Sequence, residues 1–226
     1  MNNTKALSSI TKKVIMSLAG LFLIVFLLIH LGINLFLLPI VEGNKEIFLA
    51  AAEFMSTFWP MKVMEIVLFG GFILHGLYGF IVQFQNWSSR GSQAYAVASK
   101  SKASLASKTM IYTGILVLLF LIMHLYQFYA VKLGFVAGAM LPDGHPDFYT
   151  IAVNLFSNDM VFSLIYILSF VFLGFHLYHA FQSAFQTLGW SHPKYTPIVK
   201  VIGNIYAVVV PFGFIIIPLY YMFMGA

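Results

Sequence analysis

The sequence predicts an all-α fold, an integral membrane bundle of five transmembrane helices. Two observations set that class. Of 226 residues, 61% are hydrophobic and only 8% are charged, against about 25% charge in a soluble domain, so most of the chain belongs in lipid. The apolar residues also fall into five runs, at about 14–38, 61–85, 109–131, 160–185 and 200–224. Each is close to the roughly 20 residues that a helix needs to cross a bilayer. A third observation concerns purpose. Four of the five runs carry a histidine at depth: His30, His75, His124 and His176. An ionisable side chain inside a membrane is costly, so a functional role is its default reading.

Taken in order, residues 1–13 form a polar, basic arm at the membrane surface. The first apolar run is longer than the core of a signal peptide and has no small-x-small cleavage pattern after it, so it is expected to remain as a span ending at Pro39. Residues 40–58 place Glu46, Ala50 and Glu53 at helical spacing, which predicts a short amphipathic helix lying in the interface. The link after the second span, NWSSRGSQAYAVASKSKASLASK, is small, polar and basic. The link after the third carries turn residues at Pro142-Asp143-Gly144 and then an apolar half. Pro211 and Pro218 are expected to kink the fifth span. No repeat or second domain interrupts residues 1–226, a single transmembrane domain.

Charge sets the expected orientation. With the N-terminus in the cytoplasm, the cytoplasmic segments hold Lys5, Lys12, Lys13, Arg90, Lys100, Lys102, Lys108, Lys194 and Lys200, nine of the twelve basic residues. The far side holds Lys45, Lys62 and Lys132 together with all seven acids, Glu42, Glu46, Glu53, Glu65, Asp143, Asp147 and Asp159. That is the positive-inside pattern, with the C-terminus outside. It also accounts for the net charge of +5 without a nucleic-acid partner. The absence of cysteine excludes a thioether-linked haem, a thiolate-held cluster and any disulfide.

The helical rise then gives each histidine a depth. His30 and His124 stand about 24 and 22 Å from the cytoplasmic ends of their spans, His75 and His176 about 16 and 15 Å. In an up-down ring of four helices the first faces the third and the second faces the fourth. Depth and topology therefore agree on two pairs, His30 with His124 and His75 with His176. Imidazole is an axial ligand of haem iron, and two imidazoles fill both axial positions, so the four helices are expected to enclose two haems. A lone membrane histidine can simply bond across helices; four at paired depths, one per consecutive span, favour ligation. Gly71 and Gly79, one turn either side of His75, would let a flat macrocycle approach the backbone, and Phe120 and Phe128 flank His124 at the same spacing. His179, three residues beyond His176, suits a supporting or propionate-binding role better than ligation. His145 and His192 lie beside prolines in loops and are expected to be solvated.

At this point the chain resembles the cytochrome b membrane-anchor subunits of succinate dehydrogenases and fumarate reductases, in the five-helix, single-subunit, two-haem branch. The resemblance covers the whole chain, with one ligand histidine in each of the first four spans and long outer connections after spans one and three. The fourth-span motif carries most of it: His176, then Ala180 where the family tends to have Gly, then Leu188-Gly189-Trp190. The resemblance implies two haem b groups, the inner on His75 and His176 and the outer on His30 and His124. It implies a cytoplasmic flavoprotein and iron–sulfur subunit as partners, a low-potential quinone, menaquinone, as substrate, and a prokaryotic cytoplasmic membrane as location. The chain would then be the quinone-reactive electron-transfer subunit of a respiratory, tricarboxylic-acid-cycle complex, with no dicarboxylate chemistry of its own.

Electrons that enter from the cytoplasm reach a second haem only if they cross the membrane, so quinone chemistry is expected on the outer side. It needs a proton acceptor near bulk water. Glu46, Glu53 and Glu65 are the candidates. The basic segments 90–108 and 191–200 are expected to face the iron–sulfur subunit and, with Ser17 and His179, the propionates of the inner haem. Two other readings are a cytochrome b of hydrogenase or formate dehydrogenase type and a haem-free transporter with a histidine proton relay. The first typically takes more than one ligand from a single span. The second often shows inverted repeats, and none is found here.

Overall fold

Polar side chains at the membrane edges start the helices, and apolar faces continue them. In the computed structural model, which describes residues 8–89 and 105–224, α1 (Ser9–Asn34) begins where the Ser8 hydroxyl accepts from the Thr11 N–H at 3.1 Å. It runs on through a 3₁₀ turn, Leu35–Leu37. Then come α2 (Asn44–Thr57), α3 (Trp59–Ser89) and α4 (Leu105–His124), which passes through a π-helical turn, Leu125–Tyr129, into the short α5 (Ala130–Lys132). The chain ends with α6 (Phe148–Asn158), α7 (Met160–Thr187) and α8 (Thr196–Met224). Asp147 caps α6 through the N–H and hydroxyl of Thr150, and Asp159 caps α7 through the N–H groups of Val161 and Phe162. At the far end of α7, Gly189 takes a positive φ of 78°. Trp190 N–H donates to the Phe185 carbonyl and Gly189 N–H to that of Gln186, a Schellman stop that a β-carbon would strain. Leu188-Gly189-Trp190 is therefore a helix terminator first.

Among the described residues five helices are long and apolar enough to cross a membrane: Ser9–Leu37, Trp59–Ser88, Thr109–Lys132, Met160–Thr187 and Thr196–Met224. The chain thus has the character of a multi-pass membrane protein, all-helical and without strands among the described residues. The helices overrun the apolar runs by a few residues, as at Lys12 and Lys13 of α1, where lysine is a good helix former. The short helix expected within residues 40–58 appears as α2. The apolar half of the third link is also a helix, α6, which hydropathy alone left without structure.

The arrangement is a ring. Helix α1 packs on α3 and α7, α4 packs on α7 and touches α3, and α8 lies outside against α7 and α1. The diagonals α1/α4 and α3/α7 face each other across the centre. Helices α2 and α6 close one end, hereafter the capped end, where Leu31, Leu37, Phe48, Phe156, Phe170 and Phe214 form the core. All seven acids lie at that end, whereas Lys12, Lys13, Lys194 and Lys200 lie at the other.

Helix α8 remains helical through Pro211 and Pro218. Proline 211 has no N–H for the carbonyl four residues back, that of Ala207. A β-carbon at Gly174 on α7 would lie 3.1 Å from that same carbonyl oxygen and 3.5 Å from the Pro211 ring. The freed acceptor faces the glycine backbone of the neighbouring helix, and only glycine lets the two come so close. Two tyrosines tie α8 to α1: Tyr206 donates to the Ile24 carbonyl at 2.6 Å and Tyr221 to that of Leu37. Gly174→Val is expected to destabilise the bundle by about 1–3 kcal/mol through overpacking. A thermal scan of the detergent-purified protein would register it as a lowered Tm, and an unchanged Tm would mean that the contact is not tight.

Candidate functional site: two histidine pairs inside the bundle

The ring of helices brings four histidines together two by two across its diagonals. His30 of α1 and His124 of α4 have ring centres 5.9 Å apart with planes at 82°. His75 of α3 and His176 of α7 are 6.2 Å apart, again at 82°. These are the pairs that depth and topology favour. Two imidazoles sharing one metal would have centres about 6 Å apart, from about 2 Å of bond and about 1 Å of ring on each side.

Hydrogen bonds decide which nitrogen of each ring is free. His75 Nδ1 lies 3.2 Å from the Met16 carbonyl oxygen, which can only accept, so Nδ1 carries the proton. His176 Nδ1 lies 3.4 Å from Thr113 Oγ1. The Thr113 hydroxyl donates to the Met110 carbonyl at 3.0 Å, so its oxygen is left to accept from the ring. His124 Nδ1 stands 3.3 Å from the hydroxyl of Tyr166, which donates to Gln127 Oε1 at 2.6 Å. Again the ring must donate. In these three rings Nδ1–H is satisfied and the lone pair sits on Nε2, the arrangement that orients an imidazole for metal ligation. His30 differs. The Asn34 amide donates to the His30 carbonyl at 2.7 Å and lies 3.4 Å from Nδ1, which leaves this ring's tautomer open.

The pair His75 and His176 is seated on glycines. A β-carbon at Gly20 of α1 would meet the His75 ring at 3.2 Å, and one at Gly114 of α4 would meet the His176 ring at 3.4 Å. Each ring therefore rests on the helix that also accepts its Nδ1–H. Gly71 and Gly79 face α1 instead, toward Phe22 and Met16, where they admit helix packing. Ser17 is buried on α1, a turn from Gly20. His179 lies half-buried a turn from His176, edge-on to Tyr178 at 4.9 Å. The pair His30 and His124 is walled by aromatics: Phe26 and Phe214 against His30, Phe120 and Phe128 against His124, at 5.1–5.8 Å. His145 and His192 are exposed.

Among the described residues no three His, Asp or Glu converge on one point. Each pair offers two nitrogen donors, the number that a porphyrin-held iron leaves open. Three of the four donors, His75, His124 and His176, have their proton held on Nδ1, His30 and His124 lie among aromatic rings, and both pairs fit haem iron.

The three candidate acids separate. Glu46 and Glu53 are exposed on α2. Glu65, near the start of α3, accepts from the Tyr129 hydroxyl and from Lys132 Nζ at 2.6 Å. With Lys62, Ser56, Ile66 and Phe69 these groups line an open groove of about 640 Å³ on the flank of the capped end. The π-helical turn explains the convergence. By bonding five residues back it widens the helix, so that Gln127 reaches α7 while Tyr129 reaches α3, both within five residues of His124. Of the basic segments, 90–104 lies outside the described residues. In the segment 191–200, Lys194 and Lys200 are exposed. Comparison of this chain with family models, curated proteins and solved structures finds no match.

Proposed function

We propose that this chain is a di-haem cytochrome b membrane anchor that passes electrons between an iron–sulfur partner subunit and a membrane quinone, as in a succinate:quinone oxidoreductase of a prokaryotic cytoplasmic membrane. The observation that carries the haem reading is the diagonal meeting of His30 with His124 and His75 with His176, at the spacing of two ligands on one metal. When bound, the haems supply reversible one-electron carriers. His75 and His176 would hold the one nearer the basic end, and His30 and His124 the one nearer the capped, acidic end. Met16, Thr113 and Tyr166 fix the proton of their ring on Nδ1 and so keep Nε2 basic. Gly20 and Gly114 let the inner rings reach the centre without steric cost. The charge asymmetry supports a cytoplasmic N-terminus and an outer capped end. The dehydrogenase partners and menaquinone rest on the resemblance.

At the outer end, the groove beside Tyr129 combines an apolar wall of Ile66, Phe69 and Ile73 with a carboxylate, an ammonium and a phenol. That composition suits a quinone head group whose reduction or oxidation moves protons. Glu65 would hold or release the proton at its carboxylate oxygens. The haem reading is tested on the purified chain by pyridine haemochrome assay against protein concentration. The expected result is two haem b per chain, both low-spin, with a reduced-minus-oxidised spectrum of b type. One haem overturns the two-haem reading, and none overturns the haem reading altogether, in which case the proton-relay transporter takes its place.

A further inference from the structure

We infer that Tyr166, held by Gln127, is a positioning residue that sets the donor strength of His124 as an axial ligand. The inference rests on the di-haem reading. Tyr166 is only 2% exposed, deep in α7, where a phenol is kept only if its polar atom has partners. It has two, one on each side. The hydroxyl hydrogen goes to Gln127 Oε1 at 2.6 Å, and its oxygen faces His124 Nδ1 at 3.3 Å. A phenol that donates to a carboxamide is polarised into a better acceptor. It therefore draws on the Nδ1 proton and raises the electron density at Nε2. More density on the ligand stabilises ferric over ferrous iron, so the pair Tyr166–Gln127 holds the potential of the outer haem down.

The surroundings argue that the hydroxyl has this purpose beyond packing. The Tyr166 ring is held edge-on by Phe120 and Phe156 at 5.0 Å and by Phe170 at 5.9 Å. Phenylalanine would satisfy all three contacts. Gln127 reaches Tyr166 from the π-helical turn, a backbone arrangement less favourable than plain α-helix. The two other rings with an Nδ1–H acceptor bond a backbone carbonyl or a threonine whose hydrogen stays in its own helix turn. His124 alone is served by a relay between two helices, so its ligand strength can be altered without disturbing the inner pair.

The test is Tyr166→Phe in the full-length, haem-loaded chain, read by potentiometric titration and by low-spin EPR. Two haems per chain should remain. The outer haem, identified as the one lost in His124→Ala, should shift toward the reduced form by about fivefold in its redox equilibrium, the worth of one buried hydrogen bond. Its largest g-value should move, while the inner haem keeps both signals. Gln127→Leu, which leaves the phenol but removes its acceptor, should give a smaller shift in the same direction. It carries the same readout if Tyr166→Phe fails to assemble. Two haems bound with both potentials and both g-values unchanged would overturn the inference and leave the di-haem reading intact. A wild-type chain without haem would overturn both.

Discussion

Replacing His75 or His176 by alanine is expected to remove one haem from the chain, and the same haem in each case. Replacing His30 or His124 should remove the other. Each single variant should fall from two haem b per chain to one, and the double variant His75→Ala/His176→Ala should hold one as well. The reason is geometric. The pairs meet on the diagonals of the ring, at 5.9 and 6.2 Å between ring centres, and a low-spin b-type iron needs both axial nitrogens. Because the pairs sit at different depths and share no hydrogen-bond partner, losing one should leave the low-spin signal of the other unaltered. Pyridine haemochrome counts with EPR of the four variants check this. If haem is lost instead in the pairs His30/His75 and His124/His176, ligation does not follow the diagonals.

This much was legible because it depends on two regular quantities. Hydropathy marks where a helix enters and leaves lipid, and a rise of about 1.5 Å per residue converts sequence position into depth. Depth with up-down topology then selects partners without any knowledge of side chains. What was not legible depends on rotation about each helix axis. Gly71 and Gly79 are placed by spacing beside His75, yet they face α1, whereas the glycines that meet the two inner rings, Gly20 and Gly114, lie on neighbouring helices. Nothing in a single sequence reveals that phase. The same holds for Thr113, Gln127 and Tyr166, whose roles come from contacts 39 to 63 residues away in sequence. The π-helical turn after His124, which carries Tyr129 to Glu65, has no compositional signature. Helix α6 did leave a signal, the cap pair Asp147 and Thr150, hidden in a link whose hydropathy was too short to span.

Glu65→Gln should cut quinone-linked turnover about 100-fold, the loss expected for a proton-transferring group. Both haem spectra and succinate-to-dye activity in the assembled complex should stay normal. Glu65 is the one of the three candidate acids that lines the groove, and its carboxylate already holds two donors, Tyr129 and Lys132. The donors sit on different oxygens, each with a second lone pair free for a proton, and protonation then weakens the pairing with Lys132. The Lys132–Glu65 pair is about a quarter exposed on each side, and a pair so placed contributes about 1 kcal/mol at most. Exchanging the ammonium for a quinone-derived proton is therefore cheap, and Lys132 remains beside the carboxylate to return. Glutamine keeps the shape and an acceptor for Tyr129 but can neither take up that proton nor pair with Lys132. Glu46→Gln and Glu53→Gln, on the exposed face of α2, should leave turnover within about twofold of the wild type. Turnover of that size in Glu65→Gln would remove Glu65 from the reaction. A bound quinone located beside His75 and His176, at the opposite end, would remove the groove itself.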